Sequence, residues 1–218
     1  MPSFYCSAIL FDLDGVLLDS TRVVAQQYTR WAREHGLDPT LVIEAAHGVR
    51  TIEVIRRVAP HLDAEAETRK IEDREVASDE VVRMPGAVEL LNSIPQGRWC
   101  VVTSGSRHLA TTRMRKFGVP VPAIMVTADD VTHGKPDPEP YLRGAALLKV
   151  NPAECVVVED APAGIRAACA AGMKVISLAT TYPERDLQEA NVIASALTKI
   201  SVSLDGAGPG GPLRVMVS

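Results

Sequence analysis

The chain has 218 residues, 46% of them hydrophobic and 23% charged, with a formal net charge of −4. That length holds one full hydrophobic core with room for a small inserted domain. The mild acidity excludes the basic footprint of a nucleic-acid or membrane-surface protein, and no apolar run approaches the roughly 18 residues that cross a bilayer.

Residues 8–11 are an apolar run of strand formers that ends in Asp12-Leu13-Asp14-Gly15. Residues 20–35 show helical spacing, with Val23, Val24, Gln27, Tyr28, Trp31 and Ala32 along one face. Ser20 is placed to cap that helix and Gly36 to stop it. Residues 41–46, 51–59 and 64–77 read as further helices, so residues 18–84 are expected to be all helical. Residues 87–93 then lead as a helix into the strand 99–103. A helix over 107–117 stops at Gly118, and 123–126 is the next strand. Residues 138–148 form a helix with Pro138 in its first turn, where a missing N–H does no harm. The nearly pure strand 155–158, the Ala-rich helix 161–171, the strand 174–178 and a short strand at 192–193 complete the alternation. The Gly- and Pro-rich stretch 205–212 is expected to be irregular or flexible.

Strands alternating with helices predict an α/β fold, a Rossmann-like parallel sheet with helices on both faces. The helical block is expected as an inserted cap domain over residues 18–85, with residues 1–17 and 86–218 as the core. The N-terminal residues lack a basic region, an apolar stretch and a small-residue cleavage site, so a cytoplasmic location is expected. Cys6, Cys100, Cys155 and Cys169 fit neither a C-x-x-C metal site nor a disulfide framework, and are expected as buried, reduced thiols.

Polar groups gather where the strands end. Ligand chemistry in an open parallel sheet collects at the carboxyl ends of its strands. Asp12 and Asp14, two acids one residue apart, repel unless a cation lies between them or one is protonated. A hard divalent ion such as Mg²⁺ takes carboxylate oxygens, and an Asp in such a place can act as a nucleophile; a turn after a strand is the plainer reading. Thr103-Ser104-Gly105-Ser106 can present hydroxyls and N–H groups to a phosphate, or Ser104 and Ser106 can simply cap a helix. Lys135, between Gly134 and Pro136-Asp137-Pro138, is either a fixed cation for a phosphoryl group or a solvated loop lysine. Glu159 and Asp160 either complete a metal site or cap the helix that follows. Taken together, four strand ends carry the parts that phosphoryl transfer needs.

Asp12-x-Asp14-Gly15, the Ser104-Gly105 turn, Lys135 and Glu159-Asp160, in this order, resemble the four motifs of the haloacid dehalogenase superfamily of phosphotransferases, over residues 7–178. The helical block sits where that family places its first type of cap. The resemblance implies that Asp12 attacks the phosphoryl group to form an aspartyl-phosphate, and that Asp14 protonates the leaving oxygen and later activates water. It implies Mg²⁺ held by Asp12, the Asp14 carbonyl and Asp160, with Glu159 bound directly or one layer behind. It implies phosphate held by Ser104, the Gly105 N–H and Lys135; Thr103 is the alternative hydroxyl, and Ser104 is preferred because a glycine follows it. A halide leaves without a proton, so Asp14 speaks for a phosphate ester rather than a haloacid.

Within the helical block His47-Gly48-Val49-Arg50-Thr51 resembles the cap loop of glycerol-3-phosphatases and 2-deoxyglucose-6-phosphatases, which makes His47, Arg50 and Thr51 candidates for substrate specificity. A surface arginine at a helix start is the plain alternative for Arg50. The expected function is Mg²⁺-dependent hydrolysis of a small sugar or polyol phosphate by a monomer, with no nucleic-acid or membrane partner. The runner-up is a β-phosphoglucomutase-type phosphotransferase, and a third reading is an idle sugar-phosphate-binding module.

Overall fold

The computed structural model describes residues 2–46, 48–205 and 211–218. Its centre is a six-stranded parallel sheet of β2 (Ala8–Phe11), β5 (Trp99–Val102), β6 (Met125–Val126), β7 (Cys155–Glu159), β8 (Lys174–Leu178) and β9 (Val192–Ala194), in the order β6-β5-β2-β7-β8-β9. The strands are short and apolar because both faces are covered; all four residues of β2 and all five of β7 are buried. Alternate residues serve opposite faces: Ile9 and Phe11 join one apolar cluster, Ala8 and Leu10 the other. The helices α1 (Thr21–Glu34), α5 (Ala87–Ser93), α6 (Arg107–Lys116) and α8 (Pro162–Ala170) follow strands directly or through short loops, and α7 (Glu139–Leu148) follows β6 after the longer loop 127–138.

The chain runs outward from β2 through β5 to β6, then returns to the other side of β2 as β7 and proceeds to β8 and β9. The strand order therefore reverses at β2, and a crevice opens at its carboxyl end. The parallel register pairs Phe11 with both Val101 and Val158. Asp12 therefore leaves the sheet beside Val102 and Glu159, one residue short of Thr103 and Asp160.

Between β2 and β5 stand α1, α2 (Pro39–Ala46), α3 (Thr51–Val58) and α4 (Ala64–Ala77). Their apolar faces make a cluster of their own around Trp31, Tyr28, Val54, Ile55 and Ile71. The expectation of an unbroken helical stretch over 18–84 needs correcting at its ends. Two-residue strands β3 (Leu18–Asp19) and β4 (Val82–Arg83) pair antiparallel there, so the chain enters and leaves the helical block through one ribbon. Ser20 sits at the N-cap position of α1 without capping it; its hydroxyl is used elsewhere. Gly36 does end α1, with φ +67°.

A second sheet was not foreseen. Strands β1 (Ser3–Cys6), β10 (Ile200–Leu204) and β11 (Leu213–Val217) pair antiparallel in the order β1-β11-β10, and Leu213, Val215 and Val217 pack into the core cluster of Ile9 and Phe11. Of the stretch expected to be irregular, residues 206–210 lie outside the described residues. Asp205 and Pro212 are joined by a backbone hydrogen bond of 2.9 Å. Cys6, Cys100 and Cys155 are buried free thiols, while Cys169 is exposed, against expectation.

Candidate active site

The crevice at the end of β2 continues into a cavity of about 100 Å³ closed on its far side by α1, α3 and α4. Its floor is the carboxyl end of the parallel sheet, where Asp12, Thr103 and Asp160 stand. Its roof is helical, with Tyr28, Thr51 and Glu75.

At the floor, Lys135 Nζ is buried and donates to Asp12 Oδ1 at 2.6 Å, to Glu159 Oε1 at 2.7 Å and to the Val102 carbonyl at 3.1 Å. It also lies 5.1 Å from the centre of the Tyr141 ring. The loop that delivers it is pinned at both ends. Asp130 accepts from the amide and hydroxyl of Thr127, and Glu139 accepts from the amides of Thr132 and His133, both at 2.8 Å. Burial alone lowers a lysine pKa, but the carboxylates of Asp12 and Glu159 hold Lys135 well above its ordinary value.

Glu159 is saturated. Oε1 takes Lys135 and Tyr141 Oη (3.1 Å); Oε2 takes the amides of Asp160 and Ala161, both at 2.8 Å. Gly164 makes this fit, since a Cβ there would stand 1.6 Å from Glu159 Oε1. Asp12 differs: only its Oδ1 is engaged, and Oδ2 accepts no hydrogen bond among the described residues. Burial pushes the Asp12 carboxyl up to about 7, against the pull of Lys135, and the Glu159 and Asp14 charges add to the rise. Asp160 is held well above the carboxylate range by burial and by its neighbours Glu159 and Asp12.

Asp12, Glu159 and Asp160 offer carboxylate oxygens within 4.8 Å of one another. Fully ionised, three carboxylates against the single cation of Lys135 would leave two negative charges in a buried place, and Asp12 and Asp160 resist ionising accordingly. A hard divalent cation fits that donor set. Since both oxygens of Glu159 already carry two donors each, Asp12 and Asp160 are the better placed to bind it. Gly15, with φ +80°, brings the Asp12–Gly15 turn close enough that a Cβ would stand 1.9 Å from Asp160 Oδ2.

Asp14 faces the same cavity but not the same partners. Its Oδ1 accepts from the Ser20 hydroxyl and from Arg113 Nη1 at 2.8 Å. Arg113, on α6, is 2% exposed, and its Nη2 reaches Glu75 Oε2 on α4 at 3.1 Å. Beside Asp12, the Ser104 hydroxyl donates to the Gly48 carbonyl at 2.9 Å, and the Gly105 N–H points to Thr103 Oγ1 at 3.2 Å. Both Thr103 and Ser104 line the cavity.

The expected residues Asp12, Asp14, Ser104, Gly105, Asp160 and Thr51 therefore meet around one cavity, with Lys135 and Glu159 beneath it. Arg50 does not line it. Its guanidinium donates to the carbonyls of Val131 (2.8 Å), Thr132 (2.6 Å) and Ala128 (3.4 Å) and pairs with Glu53, which accepts from the Gly134 amide at 3.1 Å. That joins the start of α3 to the loop carrying Lys135. His47 lies outside the described residues. Reading the sequence missed Ser20, Tyr28, Glu75 and Arg113. The last two sit in charged helical stretches, Glu72-Asp73-Arg74-Glu75 and Arg113-Met114-Arg115-Lys116, where nothing in the pattern marks the inward residue.

The family model described as haloacid dehalogenase-like hydrolase matches residues 9–178. Hexitol phosphatase A of Escherichia coli is 40% identical over 204 residues, 91% of this chain and 94% of its own. Glycerol-1-phosphate phosphohydrolase 2 of Saccharomyces cerevisiae is 36% identical over 200 residues, 86% of this chain and 80% of its own. Among solved structures, a β-phosphoglucomutase of Clostridium difficile superposes with a TM-score of 0.75 at 23% identity, covering 88% of this chain and 92% of the other, a likeness of fold.

Proposed function

This chain belongs to the haloacid dehalogenase-like hydrolase family and is a phosphoric monoester hydrolase, and on that premise we propose that it hydrolyses a small sugar or polyol phosphate through an aspartyl-phosphate, with Mg²⁺ as cofactor. The observation that carries the mechanism is the unequal use of the two acids. Asp12 is buried on Lys135 with one oxygen unengaged, while Asp14 is held away from Lys135 by Arg113 and Ser20.

Asp12 Oδ2 attacks phosphorus and the ester oxygen departs, taking a proton from Asp14. Water then attacks the same phosphorus, Asp14 takes up its proton, and Asp12 is released with inorganic phosphate. Lys135 pulls Asp12 toward its anionic form against burial and opposes the charge of the phosphoryl oxygens. The hydroxyls of Thr103 and Ser104 and the Gly105 amide line the cavity with Asp12 and would turn from Gly48 and Thr103 to donate to the phosphoryl oxygens. Asp12, the Asp14 carbonyl and Asp160 would hold the Mg²⁺, with Glu159 behind them orienting Lys135. The ion supplies charge neutralisation at the phosphoryl oxygens. The helical roof excludes water from the first step. We also propose residues 18–85 as a cap unit that moves on the β3–β4 ribbon to admit substrate.

A phosphate-release screen over sugar and polyol phosphates, with and without Mg²⁺, tests this reading. Turnover of a hexitol or glycerol phosphate that stops on chelation and returns with Mg²⁺ is expected. Conversion of glucose 1-phosphate to glucose 6-phosphate, without net phosphate release, would overturn it in favour of the mutase.

A further inference from the structure

We propose that Glu75 selects the organic half of the substrate: it accepts hydrogen bonds from the hydroxyls of a neutral polyol and repels a second anionic group. The inference rests on the phosphatase reading above and narrows it to a class of substrate.

Glu75 projects from α4 into the cavity and is 4% exposed. One of its oxygens accepts from Arg113; the other has no partner among the described residues. Glu75 lines the cavity, so a hydroxyl that enters can supply the donor this oxygen lacks. Burial, with the Asp14 and Glu72 charges, holds its carboxyl up at about 7 despite Arg113. Tyr28, also buried, donates its proton to Thr51 Oγ1 at 3.0 Å. The Tyr28 oxygen is left to accept and the Thr51 hydroxyl to donate. This end of the cavity thus offers the Glu75 and Tyr28 oxygens as acceptors and the Thr51 hydroxyl as a donor, which suits a chain of hydroxyls.

Its charge points the same way. Arg113 is shared between Asp14 and Glu75, so its charge is matched on both sides and none is left over for an added anion. Arg50, the other buried arginine nearby, is occupied by three carbonyls and Glu53. Among the described residues no unshared cation lines the cavity. Moving a phosphoryl group between two hydroxyls of one sugar passes through a bisphosphate, whose second phosphate must lie away from Asp12. Glu75 makes that place unfavourable for it, as it does for a carboxylate.

The test compares kcat/KM of the whole Mg²⁺-loaded enzyme on three probes: glucitol 6-phosphate, gluconate 6-phosphate, which has a carboxylate in place of the terminal CH₂OH, and butyl phosphate, which has no hydroxyl. The wild type is expected to prefer glucitol 6-phosphate to gluconate 6-phosphate by about tenfold or more, and Glu75→Gln to narrow that preference at least about fivefold, chiefly through KM. Glu75→Asp keeps the charge but withdraws it by one methylene; it is expected to raise KM for glucitol 6-phosphate and still reject gluconate 6-phosphate. A preference unchanged in Glu75→Gln overturns the proposal. So does a common fall of kcat on all three probes, which would place Glu75 behind Asp14 through Arg113. If Glu75→Gln does not melt cooperatively, Glu75→Asp and Tyr28→Phe decide, the latter expected to lower the glucitol-to-butyl ratio by about threefold. A wild type that does not favour glucitol 6-phosphate over butyl phosphate defeats the polyol-phosphatase reading itself, a result distinct from an indifferent Glu75.

Discussion

The floor and the roof of the cavity hold their charges in different ways. At the floor, Lys135 has three oxygen acceptors and Glu159 four donors, all within 3.1 Å. At the roof, Arg113 is divided between two acids on different elements, and one Glu75 oxygen has no protein partner among the described residues. Apart from the unengaged Asp12 Oδ2, the charged groups of the floor are fully partnered and keep one geometry, because moving any of them exposes an unpaired charge in low dielectric. A roof with spare acceptors can be completed only by what enters. The difference supports the proposals that place the chemistry at the floor and the choice of substrate at the roof.

Substitutions can break this division, beginning with the largest effect. Asp12→Asn removes the carboxylate proposed as nucleophile and is expected to lower phosphate release by at least about 10⁴-fold on every ester, activated or not. Circular dichroism should show the native fold retained; turnover near wild type would end the nucleophile assignment. Asp14→Asn lies between floor and roof. It is expected to cost about 10²–10⁴-fold on alkyl phosphates, whose oxygen must be protonated on leaving, and far less on p-nitrophenyl phosphate. Equal losses on the two would remove Asp14 from its proton-transfer role.

Arg50→Ala has the smallest expected effect and sharpens the comparison most. If Arg50 only ties α3 to the Lys135 loop, as its carbonyl partners indicate, kcat/KM falls by a similar factor, about three- to tenfold, on polyol and aryl phosphates. If the side chain instead reaches the substrate, KM rises for the polyol phosphate alone. Steady-state kinetics on the two substrates separates these outcomes.

Much of the floor was legible in the sequence because it is built from strand ends. Phe11, Val102, Ile124–Val126 and Val158 are apolar runs that stop abruptly at polar residues, and parallel pairing sets those stops side by side. Asp12, Lys135, Glu159 and Asp160 followed from that rule together with the resemblance to a family. The second sheet was hidden because β1 and β11 are remote in the chain and meet only by antiparallel pairing of residues 3–6 with 213–216. The ribbon of β3 and β4 escaped for the same reason, each strand being two residues long.

By itself the sequence determined the alternation of strands and helices, the helical insertion after β2 and the acids, hydroxyls and lysine at the strand ends, since these depend on local periodicity and on the order of the chain. Only the tertiary structure decided which charged helical residues face inward. Glu75 and its neighbour Arg74 differ little in sequence, yet Glu75 meets Arg113 inside the cavity while Arg74 pairs with Glu34 beside α1. Ser20 likewise turned from a helix cap into a donor for Asp14. Which face of a helix is buried depends on what the rest of the chain packs against it, and no local pattern carries that information.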